Sequence, residues 1–130
     1  MKLIFGSMNL GPQVNLDQGK EMISTFISEG FSEIDTAYVY NEGDTEKMLG
    51  DILTSFPSQK LSLATKVNPR VTGKLDKRAV EMQLNESLNR MGLDKVDILY
   101  LHMPDANTPI KETLSACAAL HDQGKFQELG

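Results

Sequence analysis

The sequence has little cysteine and no long hydrophobic run, and each shortage excludes a class of protein. Its one cysteine, Cys117, cannot form an internal disulfide, which excludes a disulfide-stabilised secreted scaffold and favours a reducing compartment. No stretch approaches the roughly 18 consecutive apolar residues of a membrane span. The apolar start, residues 1–6, is too short for a signal peptide. We therefore expect a cytoplasmic protein without a membrane partner.

Positive charge is also in short supply. The chain has 13 Lys and Arg against 18 Asp and Glu, with a net charge of -5. A large basic surface for nucleic acid or anionic lipid is therefore not expected, and any bound phosphate must be held locally. The 130 residues are 40% hydrophobic and 24% charged, which is typical of a globular protein. We expect one domain over residues 1–130.

Short apolar runs alternate with amphipathic helix patterns at a period of about thirty residues. The runs are mostly continuous, as expected for strands buried on both faces of a parallel sheet. The predicted strands cover residues 3–7, 32–35, 61–66 and 96–102, and a fifth begins near Phe126. Four successive strand-helix units predict a parallel sheet with right-handed crossovers.

The helix patterns differ in how clearly their ends are marked. The third is the clearest, with Asp76 as N-cap and Gly92 just past its end. Asp44 is expected to cap the second helix, and Thr108 followed by Pro109 opens the fourth. The residues predicted to face the core are Met22, Ile23, Phe26 and Ile27 in the first helix; Met48, Leu49, Ile52, Leu53 and Phe56 in the second; Val80, Leu84, Leu88 and Met91 in the third; and Leu114, Cys117 and Leu120 in the fourth.

Such a chain can form an open doubly wound sheet or part of a closed eight-unit barrel. The open sheet most often binds nucleotides through a Gly-x-Gly-x-x-Gly or Gly-x-x-x-x-Gly-Lys segment. Neither occurs here, where the first strand is followed only by the stretch from Gly6 to Gly11. A flavodoxin-like open sheet that binds a phosphorylated ligand is therefore the weakest of the alternatives.

Four chemically active residues follow or end the predicted strands. Asp35, Lys66 and His102 stand at the ends of the second, third and fourth strands, and Tyr40 follows Asp35 by five residues. In both kinds of parallel sheet the reactive groups gather at the carboxyl ends of strands, so we expect these four on one rim. Each alone has an ordinary explanation: a turn cap, a loop aromatic, a solvated strand end or a core histidine. Their joint placement favours a catalytic interpretation.

Together these residues are suited to carbonyl reduction. A phenol is a poor acid at neutral pH, and an ammonium near it stabilises the phenolate, so Lys66 can make Tyr40 a better proton donor. Asp35 is a natural counter-ion for Lys66, and His102 can hold a substrate oxygen by a hydrogen bond. The hydride must come from a cofactor. No metal site is predicted, because Asp44, which with Glu42 could suggest one, is better explained as a helix cap.

Three segments resemble the catalytic blocks of aldo-keto reductases: residues 35–42, the strand end Ala64-Thr65-Lys66, and residues 97–102. Residues 5–9 and 101–105 are similar to the aflatoxin aldehyde reductase branch. The resemblance implies the amino-terminal half of a (β/α)8 TIM barrel that uses NADPH to reduce a small aldehyde or ketone. It implies Tyr40 as proton donor, Lys66 as its activator, Asp35 as the partner of Lys66 and His102 as the residue that orients the carbonyl.

The resemblance also implies cofactor contacts at Asp35, Ser7 and Met8, and dimerisation in some relatives. In the family, the segments that stack on the nicotinamide ring and bind the diphosphate come after the position of Gly130. The leading alternative is therefore a half-barrel without catalysis that self-associates, or pairs with a complementary half, through open sheet edges.

Overall fold

The computed structural model describes residues 1–130 and contains one parallel sheet of five strands. The strands are β1 (Ile4–Gly6), β2 (Glu33–Asp35), β3 (Ser62–Val67), β4 (Ile98–Leu101) and β5 (Glu128–Leu129). The helices are α1 (Leu16–Ser28), α2 (Asp44–Leu53), α3 (Lys77–Met91) and α4 (Ile110–Asp122), and a short 3-10 turn covers Tyr40–Gly43. None of the helices has the length and apolar character needed to cross a membrane.

The order of the strands distinguishes a barrel wall from an open sheet. Each strand pairs in parallel with its neighbour in the chain, so the sheet order is β1-β2-β3-β4-β5 without a reversal. A doubly wound sheet reverses its strand order at the point where ligands bind. The prediction of half of a (β/α)8 barrel is therefore confirmed, and the flavodoxin-like alternative is wrong.

The two faces of the sheet have different surroundings. Ile34 and Leu63 are paired in register, and with Leu99 they are buried in a core of 18 residues shared with the helices. Because side chains alternate along a strand, Asp35 and Lys66 lie on the opposite, concave face. That face is the interior side of a barrel wall, and the two acid-base residues lie at its carboxyl end.

The third helix matches the prediction closely. Asp76 caps it and accepts a hydrogen bond from the Ala79 amide at 2.9 Å, and the helix ends at Gly92, which has a φ of 67°. Its four predicted core residues are all buried. Helix α3 approaches α2 very closely at Gly50, where a Cβ atom would lie 2.9 Å from the backbone of Met91. This contact brings the side chains of α2 and α3 together behind the sheet.

Three local predictions were wrong. Asp44 is the first residue of α2 and not its cap; Gly43 holds the cap position with a left-handed backbone, which leaves Asp44 to pair with Lys47 at 2.8 Å. Met22 is exposed because α1 turns Gly19 and Ile23 toward the core. Leu114 is exposed because the preceding Thr113 points inward, where its hydroxyl donates to the Leu75 carbonyl at 2.8 Å. The first, second and fourth predicted strands were also longer than the observed ones by one to three residues, and the third was shifted by one residue.

Candidate active site

The structure brings the four predicted site residues to one edge of the sheet. Asp35 is the last residue of β2, Lys66 is the last but one of β3, and His102 directly follows β4. Tyr40 begins the 3-10 turn after β2. Backbone hydrogen bonds join these strand ends, since the Tyr38 amide donates to the Lys66 carbonyl at 3.1 Å and the His102 amide donates to Val67 at 2.9 Å. The rim is therefore a continuous, hydrogen-bonded structure.

Lys66 is held by two oxygen atoms from β2 and the residue after it. Its ammonium forms an ion pair with the Asp35 carboxylate and donates to the Thr36 carbonyl at 2.8 Å. Only 13% of the Lys66 side chain is exposed. A buried ammonium is costly unless it is paired, and these two acceptors fix its position on the rim.

Tyr40 lies close to both a cation and an imidazole. The Lys66 ammonium is 5.2 Å from the centre of the Tyr40 ring. The ring of His102 is 5.9 Å from that of Tyr40, centre to centre, and the two rings are almost perpendicular at 87°. The three groups come from three different strand ends, as expected from the sequence.

His102 is electrostatically biased toward its neutral form. Burial lowers the pKa of His102 below its ordinary value of 6.5, and the positive charge of Lys66 lowers it further. Asp35 opposes them with a smaller effect, and Arg70 lowers the pKa by less still. Its Nδ1 atom is buried and has no hydrogen-bond partner within the chain. A neutral imidazole has one N–H donor and one acceptor nitrogen, so His102 is able to bind an oxygen atom without carrying charge.

Two further buried polar atoms without partners lie on the same rim. The hydroxyl groups of Ser7, directly after β1, and Thr36, directly after β2, make no hydrogen bond within the chain. Buried polar groups are normally paired, so these two hydroxyls are exceptions, although both residues are almost completely buried, with Ser7 0% and Thr36 1% exposed. Ser7 was predicted from the sequence and Thr36 was not. Met8, also predicted, is 59% exposed next to Ser7.

Sequence reasoning missed a buried ion pair behind the rim. The side chain of Glu46 in α2 is completely buried; it accepts hydrogen bonds from Arg90 at 3.1 Å and from the Thr65 hydroxyl at 2.7 Å. Glu46 resembles an ordinary acid in a first helical turn, and Arg90 an ordinary base in a last one. No local pattern relates two residues that are 44 positions apart, so only the close packing of α2 on α3 shows the pair.

Tyr38, in the loop after β2, also contacts the charged residues around Arg90. The Arg90 guanidinium lies 4.1 Å from the centre of its ring, and the Tyr38 hydroxyl donates to Glu86 at 2.6 Å. Burial raises the pKa of Tyr38, and its hydrogen bond to Glu86 raises it further. No three His, Cys, Asp or Glu side chains converge in a way that could hold a metal ion.

Comparisons with known proteins agree with this geometry. Residues 2–130 match the model of the Aldo/keto reductase family. The chain is 38% identical over 129 residues to human aflatoxin B1 aldehyde reductase member 4, covering 98% of this chain and 39% of that protein. It is 39% identical to rat aflatoxin B1 aldehyde reductase member 2, of which it covers 35%. A thermostable aldo-keto reductase solved with the inhibitor epalrestat matches with a TM-score of 0.86 and 29% identity, over 98% of this chain and 47% of that structure.

Proposed function

Since this chain belongs to the aldo/keto reductase family, we propose that it carries the acid-base part of an active site that reduces aldehydes or ketones to alcohols with NADPH. The chain spans between a third and a half of the length of the relatives and structures it matches. The activity proposed is therefore that of an active site to which this chain contributes. The observation that carries the proposal is the proximity of Tyr40 to both Lys66 and His102.

Tyr40 is the proton donor in this reaction. Reduction of a carbonyl needs a hydride on carbon and a proton on oxygen, and the Tyr40 O–H bond breaks as the new O–H bond of the alcohol forms. The phenolate that remains is stabilised by the nearby Lys66 ammonium. Asp35 and the Thr36 carbonyl hold Lys66 in place, so the cation is positioned before the reaction begins and need not reorganise.

His102 orients the carbonyl. Its lowered pKa keeps the imidazole neutral near pH 7, so it does not compete with Tyr40 as an acid. Its ring lies 5.9 Å from the Tyr40 ring, centre to centre, so both side chains are close enough to contact one small carbonyl group. Two hydrogen bonds to one carbonyl oxygen define its orientation and favour the charge that develops on it.

The residues of the rim fit the nicotinamide end of the cofactor. Asp35 offers a carboxylate to ribose hydroxyls, and Met8 offers an exposed apolar surface. The family resemblance adds Ser7, whose buried hydroxyl has no partner within the chain. When bound, the reduced nicotinamide supplies the hydride. The family resemblance of the sequence supports NADPH as the form used. The free, buried Cys117 supports the proposed cytoplasmic location.

The experiment is a titration of the chain with NADPH and NADH, followed by the fluorescence of the nicotinamide because the protein has no tryptophan. Steady-state reduction of a small aldehyde is then measured with the parent and with Tyr40→Phe. Saturable NADPH binding, with turnover that depends on Tyr40, is the expected result. If no binding is seen up to millimolar cofactor, the chain does not catalyse the reaction by itself.

A second candidate is a half-barrel that functions by association. β1 and β5 each pair with a single neighbour, and they expose Ile4 by 53% and Leu129 by 41%. Exposed apolar side chains on edge strands favour pairing with another copy or a complementary half. Size-exclusion chromatography with light scattering tests this candidate. A monomer that unfolds in one sharp transition would argue strongly against it.

A further inference from the structure

The turn that carries Tyr40 has an unfavourable backbone conformation. Asn41 and Glu42 have φ values of 49° and 55°, and Gly43 follows at 97°, so three successive residues lie in the left-handed region. Glycine adopts this region readily and asparagine more often than most residues, but a glutamate such as Glu42 does so only where surrounding contacts impose it. Contacts from outside the turn must therefore hold it in shape.

Arg90 provides those contacts from α3. One guanidinium nitrogen, Nη1, donates to the Tyr38 carbonyl at 3.0 Å and to Glu46 at 3.1 Å, and Nη2 donates to Glu86 at 2.9 Å. The guanidinium also stacks on the Tyr38 ring and packs against Gly43, where a Cβ atom would lie 2.7 Å from Arg90 Nε. Arg90 thus contacts the chain on both sides of Tyr40.

Glu46 links this arginine to the strand that carries Lys66. One of its carboxylate oxygens accepts from Arg90, and the other accepts from the hydroxyl of Thr65, which directly precedes Lys66. The Tyr38 amide also donates to the Lys66 carbonyl. A chain of hydrogen bonds therefore runs from β3 through Glu46 and Arg90 to the residue two positions before Tyr40.

We propose that Arg90 is a positioning residue, which acts through Glu46 and the Tyr38 carbonyl to hold Tyr40 beside Lys66 and His102. The effect of Arg90 on catalysis rests on the proposed function, in which Tyr40 is the acid. The effect of Arg90 on the position of Tyr40 is independent of that function. Arginine suits this role because its planar guanidinium donates in several fixed directions at once, which a lysine ammonium cannot reproduce.

A purely structural role would make a different prediction. If Arg90 only neutralised the buried Glu46, any replacement that avoids an unpaired buried charge would leave the turn unchanged. Arg90→Lys keeps a positive charge beside Glu46. The double variant Arg90→Met, Glu46→Met removes both charges, and replacing a buried ion pair with apolar residues is often neutral for stability. Neither variant leaves Glu46 as an unpaired charge, and both lack the guanidinium, so they distinguish charge compensation by Arg90 from positioning of the turn.

The experiment is an NMR measurement of the contact between the Tyr40 and His102 rings. Their nearly perpendicular packing at 5.9 Å between centres brings ring protons close enough for a nuclear Overhauser cross-peak. The cross-peak is recorded for the parent, Arg90→Lys, the double variant and the control Lys77→Met. Lys77 forms an exposed, 3.8 Å pair with Glu81, so its removal tests the loss of an ion pair elsewhere on α3.

We expect Arg90→Lys and the double variant to remain folded, with unfolding temperatures lowered by about 5 °C, but to lose the cross-peak. Lys77→Met should keep it. If either Arg90 variant shows the cross-peak at parental strength, the network only stabilises the fold and the proposal is wrong. The measurement uses neither cofactor nor substrate, so a failed reductase assay cannot be confused with a failed positioning test. In the assay, Arg90→Lys should lose about 100-fold in kcat with little change in KM.

Discussion

The Lys66 ammonium lies 5.2 Å from the centre of the Tyr40 ring, although the two residues belong to different strand-helix units. This relationship depends on the parallel pairing of β2 with β3, which places the end of one strand beside the end of the next. It also depends on the turn after β2, which folds back so that the Tyr38 amide bonds to the Lys66 carbonyl. The sheet brings the ends of β2 and β3 side by side, and the turn then places the Tyr40 ring near Lys66.

Replacing Tyr40 with phenylalanine should abolish most of the carbonyl reduction. The variant keeps the ring but has no proton to donate, and loss of a general acid typically costs about 100- to 10,000-fold in rate. Initial rates of nicotinamide oxidation measure the effect, and NADPH titration checks that cofactor binding is retained. Tyr100→Phe is the matched control, because the Tyr100 ring also lies near Lys66, at 5.8 Å from its ammonium. An equal loss in both variants would contradict the role of Tyr40.

Removing the ammonium of Lys66 should destabilise the protein through Asp35. Lys66→Met leaves a carboxylate that is only 30% exposed without its cation, and Asp35→Asn leaves the buried ammonium with one carbonyl acceptor. The double variant should therefore be more stable than the two single losses predict. Urea unfolding of all four proteins measures the coupling, which we expect to be roughly 1–3 kcal/mol. Strict additivity would show that the pair contributes nothing to stability.

Much of the fold could be predicted from the sequence because its signals are local. Asp76 and Gly92 mark the ends of α3, and the apolar stripe between them has the period of a helix. The lack of a nucleotide-binding glycine segment favoured the barrel over the open sheet. The inward or outward direction of single residues at the margin of a stripe could not be predicted, as Leu114 shows, because it depends on which neighbour, here Thr113, finds a hydrogen-bond partner.

The site was predictable to the extent that parallel strands end on a common rim. That rule predicts Asp35, Lys66 and His102 on one rim from the sequence alone. It gives no information about the contacts of the turn after β2, because Arg90 reaches the Tyr38 carbonyl from 52 positions later in the chain, through helix packing. Long-range contacts between charged side chains leave no periodic pattern in the sequence.

Stability should depend on pH through His102. Its pKa is lower in the folded protein than in the unfolded chain, so between those two values the unfolded chain binds more protons. Stability is therefore fully present above the unfolded pKa and is lost as the pH falls through 6.5 toward the folded value. The slope from one proton cannot exceed about 1.4 kcal/mol per pH unit. Urea unfolding across this window should show a slope that is reduced in His102→Asn; an unchanged slope would assign it to other groups.

The turn itself can be tested with two glycines that share a backbone conformation and differ in their surroundings. Gly43 has a φ of 97° and packs against Arg90, whereas Gly30 has a φ of 85° and open space where a Cβ would lie. Alanine at Gly30 should cost only the left-handed strain, about 1–2 kcal/mol in the free energy of unfolding. Alanine at Gly43 introduces the same strain, and its Cβ also displaces the guanidinium of Arg90.

Displacing the Arg90 guanidinium is expected to destabilise the fold, because it would break several hydrogen bonds. Its guanidinium is bonded to the Tyr38 carbonyl, Glu46 and Glu86, and movement would leave the buried Glu46 carboxylate without its cation. We expect Gly43→Ala to be destabilised by about 1–3 kcal/mol more than Gly30→Ala. The Tyr40–His102 cross-peak should also disappear in Gly43→Ala and remain in Gly30→Ala. Equal unfolding free energies in the two variants would mean that Arg90 yields easily, and that the turn does not depend on it.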